Sequence, residues 1–211
     1  MFLSCDDEPT AVGVNLIPNQ DIIDMLSINS RDGGFSQTSK YYEDSLSLNS
    51  SRQVLLGKHS NVESTMLLKF IFFLPDSITA AINEDKLIVQ SSWIEMYPNY
   101  TFGESTNQFD FSVHKINSSW SSLTFNKDSL ASLDYNVDNL SSNQNITDTI
   151  ITFNFDKTVT EEWLQLAAQE NQSENDGVYY KHSTTTDKIL GFPALTSSTS
   201  SNITRLMVLV E

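Results

Sequence analysis

Apolar positions along the chain come in short bursts set between stretches of Ser, Thr and Asn, and the period within each burst predicts an element. Met66 to Leu74 is nearly continuous, broken only by Lys69 and closed by Pro75. It is too short to cross a bilayer, so it reads as a strand covered on both faces, the centre of a sheet structure. Gln108 to Lys115 alternates with period two, which turns Phe109, Phe111 and Val113 inward and Asp110, Ser112 and His114 outward. Ile151, Phe153 and Phe155 alternate in the same way. In the stretch from Lys86 to Met96, Leu87, Val89, Ser91 and Trp93 fall on one face and Ile88, Gln90, Ser92 and Ile94 on the other.

Shorter runs extend this pattern. Arg52 to Gly57 reads as a strand ending at its glycine, and Val178–Lys181, Lys188–Phe192 and Arg205–Val210 read as further strands. Asp21 to Ile28 fits a strand or a short helix and is read as a strand, while Asn29 to Ser51 reads as a loop or an exposed hairpin. Ile78 to Ile82 suits one helical turn. A single true helix is expected at about 160–169, where Thr158-Val-Thr-Glu161 has the form of a capping box and Val159, Trp163, Leu166 and Ala167 recur at helical spacing. The spacing makes Trp163 a core residue. The sum is an all-β chain, a β-sandwich over residues 21–211 preceded by a tether over residues 1–20.

Charge narrows the partners. With 27 acidic against 12 basic side chains the formal net charge is −15, a field that repels phosphate backbones and anionic surfaces, so nucleic acid is not expected as a partner. The single cysteine, Cys5, excludes a disulfide framework and a thiolate-rich metal site. Its setting resembles the end of a bacterial lipoprotein signal: Phe2-Leu3-Ser4 precedes it, and Asp6-Asp7-Glu8 after it resembles the acidic signal that directs some Bacteroidetes-type lipoproteins to the outer face of the outer membrane. The resemblance implies lipidation at Cys5 and a domain anchored at the cell exterior.

The order of elements from Arg52 to Val210 is similar to the DNRLRE-type jelly-roll modules of bacterial surface proteins. The residues that carry it are Met66-Leu-Leu-Lys-Phe70, Val113-His-Lys-Ile-Asn-Ser-Ser-Trp120, Ile151-Thr-Phe-Asn-Phe-Asp156 leading into Val159-Thr-Glu-Glu-Trp163, and the Asn175-Asp-Gly-Val-Tyr179 turn. The hexapeptide that names the family is absent. Cys5-Asp-Asp-Glu-Pro with Val12-Gly-Val-Asn-Leu-Ile-Pro18 also resembles the start of Bacteroidetes or Chlorobi surface lipoproteins of unknown function. What the resemblance implies is a non-catalytic jelly-roll, some of whose relatives bind carbohydrate, with no site carried over.

No catalytic signature stands out. There is no Gly-x-Ser-x-Gly elbow, P-loop or dinucleotide fingerprint. His59, His114 and His182 lie on separate elements and read as surface residues. Asp110 and Glu95 are candidate acids for glycoside chemistry, and Glu170, Glu174 and Asp176 are a weak candidate set for a structural calcium ion, though their spacing is not that of an EF-hand loop. Aromatic residues favour binding: sugar rings stack on aromatic planes, and Trp93, Tyr97, Tyr100 and Phe102 fall within one strand and loop. Trp120 and the pair Tyr41-Tyr42 are further candidates, and the competing reading of both tryptophans is packing. The expectation is a non-enzymatic surface lipoprotein that binds a polysaccharide or a cell-surface partner. The alternatives are a structural or assembly lipoprotein that contacts proteins through sheet edges, and a polysaccharide-degrading jelly-roll enzyme.

Overall fold

The computed structural model describes residues 38–40, 51–194 and 202–211. Cys5, the tether, the strand expected at Asp21 to Ile28 and the Tyr41-Tyr42 pair lie outside the described residues. The chain clusters into two units, Met1–Ser45 and Leu46–Glu211, and the account below concerns the second.

The strands follow one another as β1 (Gln53–His59), β2 (Val62–Ser64), β3 (Met66–Leu68), β4 (Val89–Met96), β5 (Tyr100–Phe102), β6 (Phe111–Lys115), β7 (Ser141–Ile146), β8 (Ile151–Phe155), β9 (Val178–His182), β10 (Lys188–Pro193) and β11 (Arg205–Val210). They form three antiparallel sheets, in the orders β2-β1-β10-β5, β11-β4-β8-β7 and β3-β9-β6. One apolar cluster joins all three: Leu56, Leu190 and Phe192 from the first, Ile94, Met96, Ile151, Phe153 and Phe155 from the second, Met66, Phe111, Val113, Val178 and Tyr180 from the third. The fold is therefore an all-β sandwich. Each large side chain sequestered there contributes about 1.5–3 kcal/mol relative to exposure.

Period-two reading succeeds where a strand is regular. In β8, Ile151, Phe153 and Phe155 are buried while Asn154 is exposed. β4 departs from it. Val89 is buried, yet so are Ser92, Ile94 and Met96, positions of opposite parity. The register explains the switch: Val210 faces Val89 while Leu209 faces Ser91, so Gln90 is an extra residue in the ladder. Such a bulge flips the inward set of everything beyond it. Trp93, predicted to share a face with Val89, consequently points away from the core with Glu95. β1 does not stop at Gly57 but runs through it to His59. The glycine has φ 130°, and a Cβ there would lie 2.2 Å from the Lys188 carbonyl oxygen, so only glycine lets β10 approach so closely.

The helix α3 (Lys157–Ala168), which follows α1 (Asp76–Asn83) and α2 (Lys127–Leu130), covers one end of the core. It begins three residues earlier than the capping-box reading placed it. The cap is Asp156, whose carboxylate accepts from the Val159 N–H at 3.0 Å, because the aspartate closing β8 reaches the orphan donors first. Trp163 is fully buried against Phe70 and Phe155, with ring centroids at 5.9 and 5.5 Å. α1 occupies eight residues where one turn was expected.

The largest correction concerns Met66 to Leu74. Only Met66–Leu68 is a strand, and it sits at the edge of a three-stranded sheet rather than at its centre. From Lys69 onward the chain keeps an alternating burial without a strand partner: Phe70 and Phe72 pack on the core, whereas Ile71 is 68% and Phe73 92% exposed. Side-chain amides replace the missing strand. Gln172 donates from Nε2 to the Phe72 carbonyl and accepts the Phe72 N–H at Oε1, both at 2.8 Å, and Asn175 Nδ2 donates to the Phe70 carbonyl at 2.9 Å. Those donors and acceptors hold the ribbon as a strand would hold it.

Candidate functional site

The five candidate aromatic residues fall into three groups. Trp93 and Tyr97 stand on the outward face of β4 and its extension, and both donate to Glu95: Trp93 Nε1 to Oε1 at 3.0 Å and the Tyr97 hydroxyl to Oε2 at 2.8 Å. These two bonds hold the Glu95 carboxyl below its ordinary range, and the same bond pushes the Tyr97 hydroxyl up. The chain then leaves that sheet within three residues, since the Asn99 N–H already donates to the Gly191 carbonyl of β10 at 2.9 Å. Tyr100 and Phe102 thus belong to the edge strand of a different sheet, where Phe102 meets the His59 ring edge-on at 5.1 Å. No single platform of Trp93, Tyr97, Tyr100 and Phe102 exists, because a turn that changes sheets cannot keep the rings on one face.

Trp120 stands apart and has the richer surroundings. It lies on an excursion of the chain whose base is closed by the Ile116 to Tyr135 bridge and by the Asn117 N–H donating to the Asp134 carbonyl at 2.9 Å. Within the excursion α2 is capped by Asn126, which accepts from Ser129 N–H while Ser129 Oγ accepts in return. The indole is fixed by its own nitrogen, Nε1 donating to the Asp176 carbonyl at 2.7 Å. Lys69 Nζ sits 5.5 Å from the ring centre and 3.3 Å from the Asp176 carboxylate, and Phe125 meets the ring edge-on at 5.9 Å.

Three clefts adjoin this tryptophan. One, of about 500 Å³, is walled by Trp120, Phe125 and Leu133 and by the hydroxyl-bearing Ser118, Ser119, Ser121, Thr124, Ser129 and Ser132. A second, of about 490 Å³, is apolar, with Val54, Leu67, Leu123 and Pro193 among its walls, and a third of about 260 Å³ lies next to it. Aromatic planes beside closely spaced hydroxyls are the chemistry of neutral polyol recognition. Sequence reasoning found Trp120 but not its serines or Phe125. The run Asn117-Ser-Ser-Trp-Ser-Ser122 was the available signal.

The titratable groups are dispersed. His114, expected outward, is only 8% exposed, because residues 136–140 run along the open edge of β6 and close over it, with the Asn136 N–H donating to Lys115 O and the Leu140 N–H to Val113 O. Its Nδ1 lies 3.0 and 3.1 Å from the Asn136 and Asp138 carbonyls. Carbonyls only accept, so Nδ1 carries a hydrogen, and in the neutral ring Nε2 accepts from the Ser112 hydroxyl at 2.7 Å. His59 pairs instead with Asp187 at 3.0 Å. Of the candidate acids, Glu95 is committed to Trp93 and Tyr97. Asp110 belongs to the main-chain junction with Thr186, whose hydroxyl accepts the Asp110 N–H at 2.9 Å and donates to the Asp110 carbonyl. Among the described residues no group of three or more His, Cys, Asp or Glu is placed to hold a metal ion; of the candidate calcium ligands, Asp176 is engaged with Lys69. No described helix is long and apolar enough to cross a membrane.

No family model, no curated protein and no solved structure matches this chain.

Proposed function

We propose that this chain is a non-catalytic binding module of a bacterial cell surface, tethered to the outer membrane through Cys5 and binding a neutral polysaccharide in the cleft beside Trp120. One observation carries the reading: an indole immobilised by the Asp176 carbonyl forms a wall of a 500 Å³ cleft that also presents six hydroxyl-bearing side chains. An aromatic wall takes up the C–H face of a pyranose, and nearby hydroxyls exchange hydrogen bonds with its rim. The net charge of −15 disfavours anionic polymers at low ionic strength. The lipid anchor is supported by the likeness of the Cys5-Asp-Asp-Glu opening to lipoprotein signals.

The test is affinity electrophoresis and a glycan array with the wild type, Trp120→Ala and Trp93→Ala, each checked by thermal melting. Binding to a neutral glycan that is lost in Trp120→Ala and kept in Trp93→Ala supports the reading. Retention by Trp120→Ala, or failure of the wild type on every neutral polymer, refutes it. Acyl labelling in a bacterial host that persists in Cys5→Ser would dispose of the anchor.

A further inference from the structure

β1 and the strand segment beside it part company. β2 pairs with β1 from His59↔Val62 to Gly57↔Ser64, and after Thr65 the same run of chain pairs with β9 instead, from Met66↔Tyr180 to Leu68↔Val178. Two sheets therefore fork from one continuous segment. In the opening lie the 260 and 490 Å³ clefts, which share Val54, Leu67, Trp120, Ser122 and Ala194.

The two prongs differ in their main-chain hydrogen bonding. On β1, Ser51 Oγ accepts the Gln53 N–H and donates to the Gln53 carbonyl, and Ser64 Oγ donates to the Leu55 carbonyl at 2.9 Å. That edge is capped by hydroxyls. On the other prong, alternate residues of an extended chain turn their N–H and C=O to opposite edges. Phe70 and Phe72 turn theirs to Asn175 and Gln172, on the β9 side. Lys69 and Ile71, of opposite parity, turn theirs to the fork, and these main-chain groups meet no hydrogen-bond partner among the described residues.

We propose that the fork is a slot for an extended segment of another polypeptide, which adds as a strand along residues 67–71. Donors and acceptors that recur every second residue along one edge match an extended main chain, the recognition mode of strand addition. A glycan lacks that spacing. The apolar walls from Val54, Leu67, Leu123 and Pro193 take alternate side chains of the incoming strand. The net charge of −15 disfavours an acidic segment at long range, while the described walls of the fork carry one charged side chain, Lys69, already paired with Asp176. Trp120 lines the hydroxyl-bearing cleft and the fork alike, but the proposal does not rest on the glycan reading, because it is drawn from the main chain of residues 67–71.

The probe is a synthetic peptide alternating valine with threonine and lysine, compared with the same sequence N-methylated at alternate amides. Amide hydrogen exchange of the protein is followed during titration. Occupancy of the slot slows exchange at Lys69 and Ile71 at least tenfold, shows saturable binding, and is abolished by N-methylation on the pairing edge. Leu123→Lys, a change at an exposed wall residue that leaves the core intact, weakens binding of this cationic peptide severalfold. The proposal is overturned if the methylated peptide binds equally, if protection falls elsewhere, or if no binding is seen at millimolar peptide.

Discussion

Replacing Asn175 tests whether amide side chains really stand in for a strand along the Phe70 ribbon. Asn175 is buried; its Nδ2 donates to the Phe70 carbonyl and its Oδ1 accepts the Gly177 N–H, both at 2.9 Å. The Gly177 turn is pressed against the end of β3 so closely that a Cβ there would lie 2.2 Å from the Leu68 carbonyl oxygen. Little room exists for the turn to relax. Asn175→Ala deletes two hydrogen bonds and strands a carbonyl and an N–H away from water. A bond is worth about 1 kcal/mol net, and each group left unpaired raises the loss, so about 2–4 kcal/mol is expected. For a unit of this size that lowers Tm by roughly 5–15 °C. Asn175→Asp discriminates the mechanism: it keeps the acceptor for Gly177 but turns an oxygen toward the Phe70 carbonyl, so it is also destabilised near neutrality. It recovers as acid protonates the new carboxyl and restores a donor. Thermal and urea unfolding followed by circular dichroism measures both variants. If Asn175→Ala lies within ~0.5 kcal/mol of wild type, or Asn175→Asp matches wild type at pH 7, the clamp is not what holds the ribbon.

Other consequences are simpler. The Tyr180 ring packs against those of Phe111 and Phe153, its hydroxyl is buried with no hydrogen-bond partner among the described residues, and burial drives its ionisation far upward. Tyr180→Phe is therefore expected to raise stability by about 1 kcal/mol, or roughly 2–4 °C in Tm; a loss of stability would mean that the hydroxyl is satisfied. Glu95 has a folded pKa depressed by its bonds from Trp93 and Tyr97. Its contribution is accordingly present above the unfolded carboxylate pKa and lost as pH falls through the folded value. Because the site is partly solvated, the gap between wild type and Glu95→Gln is expected to stay below ~1 kcal/mol at pH 7 and to close in acid, and a gap that widens in acid would contradict the bonding described.

The elements that were legible in the sequence are those whose patterning needs only a local explanation. Ile151, Phe153 and Phe155 alternate because one face of β8 meets the core, and Val159 and Trp163 recur one helical turn apart because α3 lies on it. The errors have equally specific causes. A single extra residue, Gln90, reverses the faces of β4 and sends Trp93 outward. A change of sheets between Tyr97 and Asn99 divides an aromatic loop that looked like one surface. His114 is buried by a chain segment more than twenty residues away, which no period within β6 records.

The amino-acid order by itself determined that this chain builds a β-sandwich with one principal helix, since burial of alternating apolar residues is worth more than any other arrangement of them. It also determined the acidic field. Which strand has neighbours was decided only in three dimensions. Met66 to Leu74 carries enough apolar residues for a central strand, but hydrophobicity has no direction and does not specify a pairing partner. Hydrogen-bond complementarity does. Gln172 and Asn175, a hundred residues along the chain, satisfy one edge of the ribbon and leave the other facing the fork beside Trp120.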